Sequence, residues 1–263
     1  MTAVLYLLVG LLGLAVGSFL NVVVWRVPRK ESVLHPPSAC PRCGHRIRPY
    51  DNVPVVSWLV LRARCRDCGE PISARYPLVE LATGVGFVLA ALWTGLDAPG
   101  VWFLPAALYF VAIAVALTLI DVDTHTLPNA IVLQSYPVVA ALLALASAGA
   151  GDWPALLRAL MGMAILYVFY FAIVFAYPKG MGFGDVKLAG VLGLLLGWLG
   201  WGPLVVGGFA AFVVGGVFSL ALMAVRRAGR RTQIPFGPWM LAGAVVGAVW
   251  GERVWDLYLQ TAF

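Results

Sequence analysis

Long uninterrupted apolar runs constrain this chain more than any other feature. Eight stand out, at roughly 4–25, 78–95, 101–120, 129–148, 155–177, 186–200, 201–224 and 236–251. A bilayer-spanning helix needs about 20 predominantly apolar residues. Within the bilayer only helices and closed barrels satisfy their own backbone hydrogen bonds. Barrel strands would be shorter and would alternate in polarity, so helices are expected. With 62% of residues hydrophobic and 11% charged, an ordinary soluble domain and a disordered chain are both excluded. The expected fold is all-α and polytopic, with about eight transmembrane helices. The sixth run is short and joins the seventh through only Gly200, Trp201, Gly202 and Pro203, so a seven-span count stays open. The first run has no basic segment before it and no small-residue cleavage site after it, and reads as a retained span rather than a signal peptide.

Lys and Arg set the orientation. The stretch 26–75 holds ten of them: Arg26, Arg29, Lys30, Arg42, Arg46, Arg48, Arg62, Arg64, Arg66 and Arg75. The positive-inside rule puts this loop in the cytoplasm and the N-terminus outside. Counting eight spans from there brings Lys179, Lys187, Arg226, Arg227, Arg230 and Arg231 to the same side, which makes 16 of 18. Arg158 and Arg253 fall on the other. A seven-span count would send the cluster at 226–231 outside. Topology therefore accounts for the net charge of +6. Membrane lipid, and not nucleic acid, is the expected partner of these cations.

All four cysteines lie in that basic loop, as Cys40-Pro-Arg-Cys43 and Cys65-Arg-Asp-Cys68, with 21 residues between the pairs. Two such knuckles read as a tetrahedral zinc site of four thiolates. Gly44 and Gly69 each follow a knuckle, where a tight turn brings backbone toward sulfur. A segment of about 50 residues hardly folds without a staple, and a metal would supply the missing free energy. Two disulfides are the rival reading, and the expected cytoplasmic location counts against them. A basic zinc ribbon for nucleic acid is a further alternative. A closed four-cysteine site is normally structural.

Four carboxylates, Glu80, Asp121, Asp123 and Asp185, sit at span ends on the expected cytoplasmic side. Ionisable groups at membrane depth are costly and point to function. Asp121 closes the run ending Leu119-Ile120, and Asp185 follows Gly182-Phe183-Gly184. Two carboxylates from separate helices can share one proton. The ionised member takes a proton from water, which attacks an amide carbonyl that the protonated member polarises. Both residues have simpler readings, as solvated groups or, for Asp185, as a helix cap. An ion pathway would use the same residues, but it would also need polar groups through the middle of several spans. A non-catalytic membrane scaffold built on the zinc domain is the third class. Asp123 reads as a solvated neighbour, Glu80 as an interfacial or packing group, and His125 as solvent-facing. Lys187 pairs with Asp185 or snorkels to the interface.

At these residues the chain resembles the bacterial prepilin peptidases, the type IV leader peptidase family of GxGD membrane aspartic proteases. The resemblance runs from Gly17-Ser18-Phe19-Leu20-Asn21 and Arg26-Val27-Pro28 through both cysteine pairs. It includes Asn52-Val53-Pro54-Val55, Ser57-Trp58-Leu59 and Pro71-Ile72-Ser73-Ala74-Arg75-Tyr76-Pro77-Leu78-Val79-Glu80. It continues in Ile120-Asp121 with Leu127-Pro128-Asn129, in Gly182-Phe183-Gly184-Asp185-Val186-Lys187 and in Ile234-Pro235-Phe236-Gly237-Pro238. It implies an aspartic endopeptidase of the plasma membrane that cuts the leader from precursors of type IV pilins and pseudopilins, which serve type IV pilus assembly and protein secretion. It implies Asp121 and Asp185 as the catalytic pair, and Zn2+ on Cys40, Cys43, Cys65 and Cys68. It also implies a second activity, N-methylation of the new N-terminal residue with S-adenosylmethionine as donor. No glycine fingerprint of a nucleotide-binding domain is present, so methylation rests on the resemblance alone. The expected division is a first transmembrane helix at 1–25, a cytoplasmic four-cysteine zinc domain at 26–77, and a seven-helix membrane peptidase core at 78–263.

Overall fold

The computed structural model describes residues 2–178, 180–225 and 234–262. Among them the chain forms α1 (Thr2–Arg26), α2 (Val56–Val60), α3 (Arg75–Thr94), α4 (Gly100–Thr124) and α5 (Asn129–Ala150). It continues with α6 (Trp153–Ala176), α7 (Phe183–Leu199), α8 (Trp201–Ala224) and α9 (Gly237–Ala262). No strand occurs among the described residues. Apart from the short α2, the helices follow the eight apolar runs in order. Gly200 separates α7 from α8, so the sixth and seventh runs are distinct helices. Lys179, Arg226, Arg227, Arg230 and Arg231, which entered the charge argument, lie outside the described residues.

Among the described residues six helices (α1, α3, α4, α5, α6 and α8) are long and apolar enough on their own to cross a membrane. Helix α9 is continuous, but Glu252, Arg253 and Asp256 interrupt its apolar character. Helix α7 has only 17 residues, but 12 of them are buried. It packs against α5, α6, α8 and α9, so its apolar surface faces protein.

The chain divides into two compact units, Met1–Gly100 with Ala107–Ala116, and Val101–Ala106 with Leu117–Phe263. In the first, α1 packs on α3 through small residues. A Cβ at Gly13 would stand 2.8 Å from Gly84 Cα, and one at Gly17 would stand 2.7 Å from Glu80 Cα. Lipid supplies no hydrophobic drive for helix pairing, and close backbone approach takes its place. The same device recurs in the second unit. Gly162 of α6 meets Gly193 and Gly197 of α7, and Gly207 of α8 meets Gly247 of α9. Arg158 crosses from α6 to donate to the Gly197 and Trp198 carbonyls, each at 2.7 Å. These are orphan acceptors at the C-terminal end of α7, where a cation is electrostatically favoured.

Candidate active site and thiol site

The thiol site belongs to the first unit. Its two knuckles have matching backbones. Gly44 N–H donates to the Cys40 carbonyl and Gly69 N–H to the Cys65 carbonyl, both at 2.9 Å. Both glycines sit at φ +72°, a left-handed conformation that side chains disfavour. Salt bridges tie the knuckles together: Arg42 to Glu70 at 2.6 Å and Arg48 to Asp67 at 2.9 Å. Arg66 grips both oxygens of Asp51 and holds that carboxyl below the usual range.

All four thiols are free. Their sulfurs lie within 4.8 Å of one another, a set that can hold one metal ion. A tetrahedral zinc with Zn–S near 2.3 Å requires sulfur separations of about 3.8 Å. Cys40 and Cys68 stand at 3.7 Å. The backbone N–H groups of Cys43 and Arg42 bring the Cys40 thiol down to about 6. At Cys68 the Glu70 N–H acts in the same direction, but burial and the other three sulfurs outweigh it and push the thiol up to about 12. One thiolate forms readily, and further negative charge on the cluster is opposed until a cation joins it.

The segment that follows the first knuckle docks on α3. Val55 has φ 61° and ψ −48°, and Val56 N–H reaches back to the Pro54 carbonyl at 2.6 Å. This is a γ-turn of the rare, strained hand, and strain of this kind costs about 1–3 kcal/mol. Val55 N–H then donates to Glu80 Oε2 at 2.7 Å. Ser57 braces the flank, accepting from Val53 N–H and donating to the Tyr50 carbonyl, both at 3.0 Å.

The carboxylate site belongs to the second unit. Asp121, in the last turn of α4, is 4% exposed, and Asp185, in the first turn of α7, is 8% exposed. Asp123, two residues on, is exposed. Each buried carboxylate is pinned through one oxygen by a glycine N–H. Gly182 donates to Asp185 Oδ2 at 3.1 Å, and Gly237 donates to Asp121 Oδ2 at 3.0 Å. Neither carboxylate's other oxygen has a hydrogen-bond partner among the described residues.

Small residues permit this arrangement. A Cβ at Gly237 would stand 2.7 Å from Asp121 Oδ2 and 3.2 Å from Leu127 Cδ2. A Cβ at Gly184 would stand 3.1 Å from Leu127 Cβ. Leu127 thus packs against the opening turns of both α7 and α9. The Tyr136 hydroxyl donates to the Lys187 carbonyl at 2.7 Å, which fixes α7 against α5. Lys187 turns away from Asp185 and donates to Asn129 Oδ1 at 2.9 Å. His125 is exposed, with its N–H on the Asp121 carbonyl at 2.8 Å.

An all-helical membrane protein with two buried, glycine-pinned carboxylates at helix ends is compatible with a hydrolase. The comparisons agree. Residues 108–220 match the model of the type IV leader peptidase family, and residues 11–94 match that of the bacterial Peptidase A24 N-terminal domain. Proteins named prepilin leader peptidase/N-methyltransferase are similar along most of the chain. The one from Aeromonas salmonicida (strain A449) is 36% identical over 97% of this chain and 94% of its own. That of Pseudomonas aeruginosa is 35% identical over 96% and 92%. That of Myxococcus xanthus is 42% identical over 84% and 64%. No solved structure matches. The chain belongs to the type IV leader peptidase family.

Proposed function

We propose that this membrane protein removes the leader peptide from prepilins and pseudopilins and N-methylates the residue so exposed, with Asp121 and Asp185 as its hydrolytic pair. The likeness to prepilin leader peptidase/N-methyltransferases over nearly the whole chain supports both activities. The observation that carries the residue assignment is the matched burial and backbone pinning of these two carboxylates, against the exposure of Asp123. With Oδ2 of each held, Oδ1 of each remains for water or substrate. Two such groups in one another's field share a single proton. The ionised one accepts a proton from water as that water attacks the scissile carbonyl. The protonated one donates a hydrogen bond to the carbonyl oxygen, where negative charge develops. The proton then passes to the leaving amine.

Cys40, Cys43, Cys65 and Cys68 would hold a structural Zn2+, which stabilises the loop; S-adenosylmethionine is the methyl donor. The concentration of Lys and Arg in 26–75 supports a cytoplasmic location for the thiol domain and the active site and an N-terminus outside, and the likeness to the bacterial relatives supports insertion in the plasma membrane. The working division remains a first helix at 1–25, a zinc domain at 26–77 and a peptidase core at 78–263. The partners are the precursor proteins and membrane lipid; nucleic acid is not among them.

The test is cleavage of a synthetic prepilin by purified protein, read by mass spectrometry. Asp121→Asn and Asp185→Asn should each abolish the cut, and Asp123→Asn should retain it. Cleavage surviving in either of the first two variants would remove the pair from the mechanism.

A further inference from the structure

We propose that Glu80 is the general base of methyl transfer, accepting the proton that the new N-terminal ammonium must shed before its nitrogen takes the methyl group. The inference rests on the bifunctional reading above. Asp121 and Asp185 account for hydrolysis, and both fall in the segment matching the leader peptidase family, 108–220. The other matched segment, 11–94, contains one buried ionisable side chain among the described residues, Glu80. Hydrolysis has no use for it.

Its setting suits a base. Glu80 lies in the opening turns of α3, 8% exposed, and an ionisable side chain buried in a membrane helix points to function. One oxygen is fixed by the Val55 N–H at 2.7 Å. That N–H is aimed by a turn whose strained backbone persists only because its surroundings enforce it. The second oxygen has no hydrogen-bond partner among the described residues and is not sealed from solvent. A carboxylate held in one orientation thus offers one open lone-pair face. That face can accept a hydrogen bond from an N-terminal ammonium and take its proton, which frees the nitrogen lone pair.

The step balances. The ammonium first gives one proton to Glu80, and its nitrogen then bonds to the methyl carbon of the sulfonium donor as the carbon–sulfur bond breaks. Sulfur keeps that electron pair and becomes a neutral thioether. The nitrogen ends as a methylammonium, and Glu80 releases the first proton to water.

Glu80→Gln in the full-length protein separates this role from simple docking. The amide oxygen still accepts from Val55 N–H, but the base is gone. A synthetic prepilin and a pre-cleaved pilin peptide would be followed by mass spectrometry, and S-adenosylmethionine binding by calorimetry. Cleavage and donor Kd should stay within about twofold of wild type. Methylation of the pre-cleaved peptide should fall on the order of 100-fold at pH 7. It should recover about tenfold by pH 9, because a free amine with pKa near 8 then supplies itself in neutral form; wild type should change much less. Glu80→Asp should regain part of the rate. Methylation within threefold of wild type in Glu80→Gln overturns the proposal. Loss of donor binding would make Glu80 a donor ligand instead, and a parallel fall in cleavage would make it structural; either result also overturns it. Absence of methylation by the wild type would overturn the bifunctional reading itself.

Discussion

Gly237→Ala is the sharpest perturbation of the carboxylate site, because it alters no titratable group. Gly237 is buried at the start of α9 and has no left-handed φ, so alanine suits its backbone. Its constraint is space. The added Cβ would meet Asp121 Oδ2 at 2.7 Å, closer than real Cβ contacts come. Relief requires a shift of roughly 0.5 Å, estimated against ordinary van der Waals separation. Either the carboxylate swings away or α9 retreats, and both break the 3.0 Å bond from Gly237 N–H. A hydrogen bond to a charged group contributes about 1.5–3 kcal/mol. At 1.4 kcal/mol per decade that is roughly a 10- to 150-fold loss. Misplacement of a reacting group by about 1 Å costs a similar factor. The assay is kcat/KM for cleavage of a synthetic prepilin in nanodiscs, with methylation of a pre-cleaved peptide as the control for folding. Cleavage should fall at least tenfold while methylation persists. Cleavage within threefold of wild type would refute the claim that Gly237 positions Asp121.

Gly184→Ala should be milder, because its Cβ would meet only Leu127 Cβ at 3.1 Å; a loss of about two- to fivefold in kcat/KM is expected, given the modest cost of small packing shifts. Tyr136→Phe removes the donor to the Lys187 carbonyl and should lower stability by about 1–3 kcal/mol, read as a lower Tm. Chelation should release one zinc per chain, measured by elemental analysis, and Cys65→Ser should do the same without chelator. The Asp51 carboxyl is depressed by Arg66, so the stabilisation it gives is complete above its unfolded value near 3.9 and is lost only as pH falls through the lower folded value. Zinc retention should therefore be insensitive to Arg66→Gln in its pH dependence between pH 5 and 8, and an effect confined to that window would contradict the assignment.

The fold was legible wherever a run of apolar residues had to bury its own backbone hydrogen bonds, because only a helix does that in lipid. The same reasoning does not tell a lipid-facing helix from a protein-facing one. Helix α7, at 17 residues, is as apolar as its neighbours, yet it is set among four other helices, where its Gly190, Gly193 and Gly197 meet Tyr136, Gly162 and Ala159, residues remote in sequence. The knuckles were legible because ligand spacing and the following glycine are local. The role of Gly237 was not, because its partner Asp121 lies 116 residues away. The only hint was a Gly-Pro pair opening an apolar run. Lys187 stood next to Asp185 in reach by sequence but bonds Asn129, a choice made by the packing of α5 on α7. Glu80 read as interfacial or packing; what sequence hid was the N–H of Val55, 25 residues earlier, brought to it by a strained turn.

These hidden contacts share one physical cause. A carboxylate buried near a membrane face needs a donor, and a side-chain cation would neutralise it as a base. A backbone N–H satisfies one oxygen without bringing a full charge or titrating with pH. Asp121, Asp185 and Glu80 all take that solution, from Gly237, Gly182 and Val55. At the two aspartates the donor N–H groups also lie at helix N-termini, where the macrodipole favours negative charge. Each carboxylate keeps an oxygen available, which a bidentate arginine such as Arg66 on Asp51 would have consumed. The contrast separates the acids that tie the loop together from those proposed to move a proton.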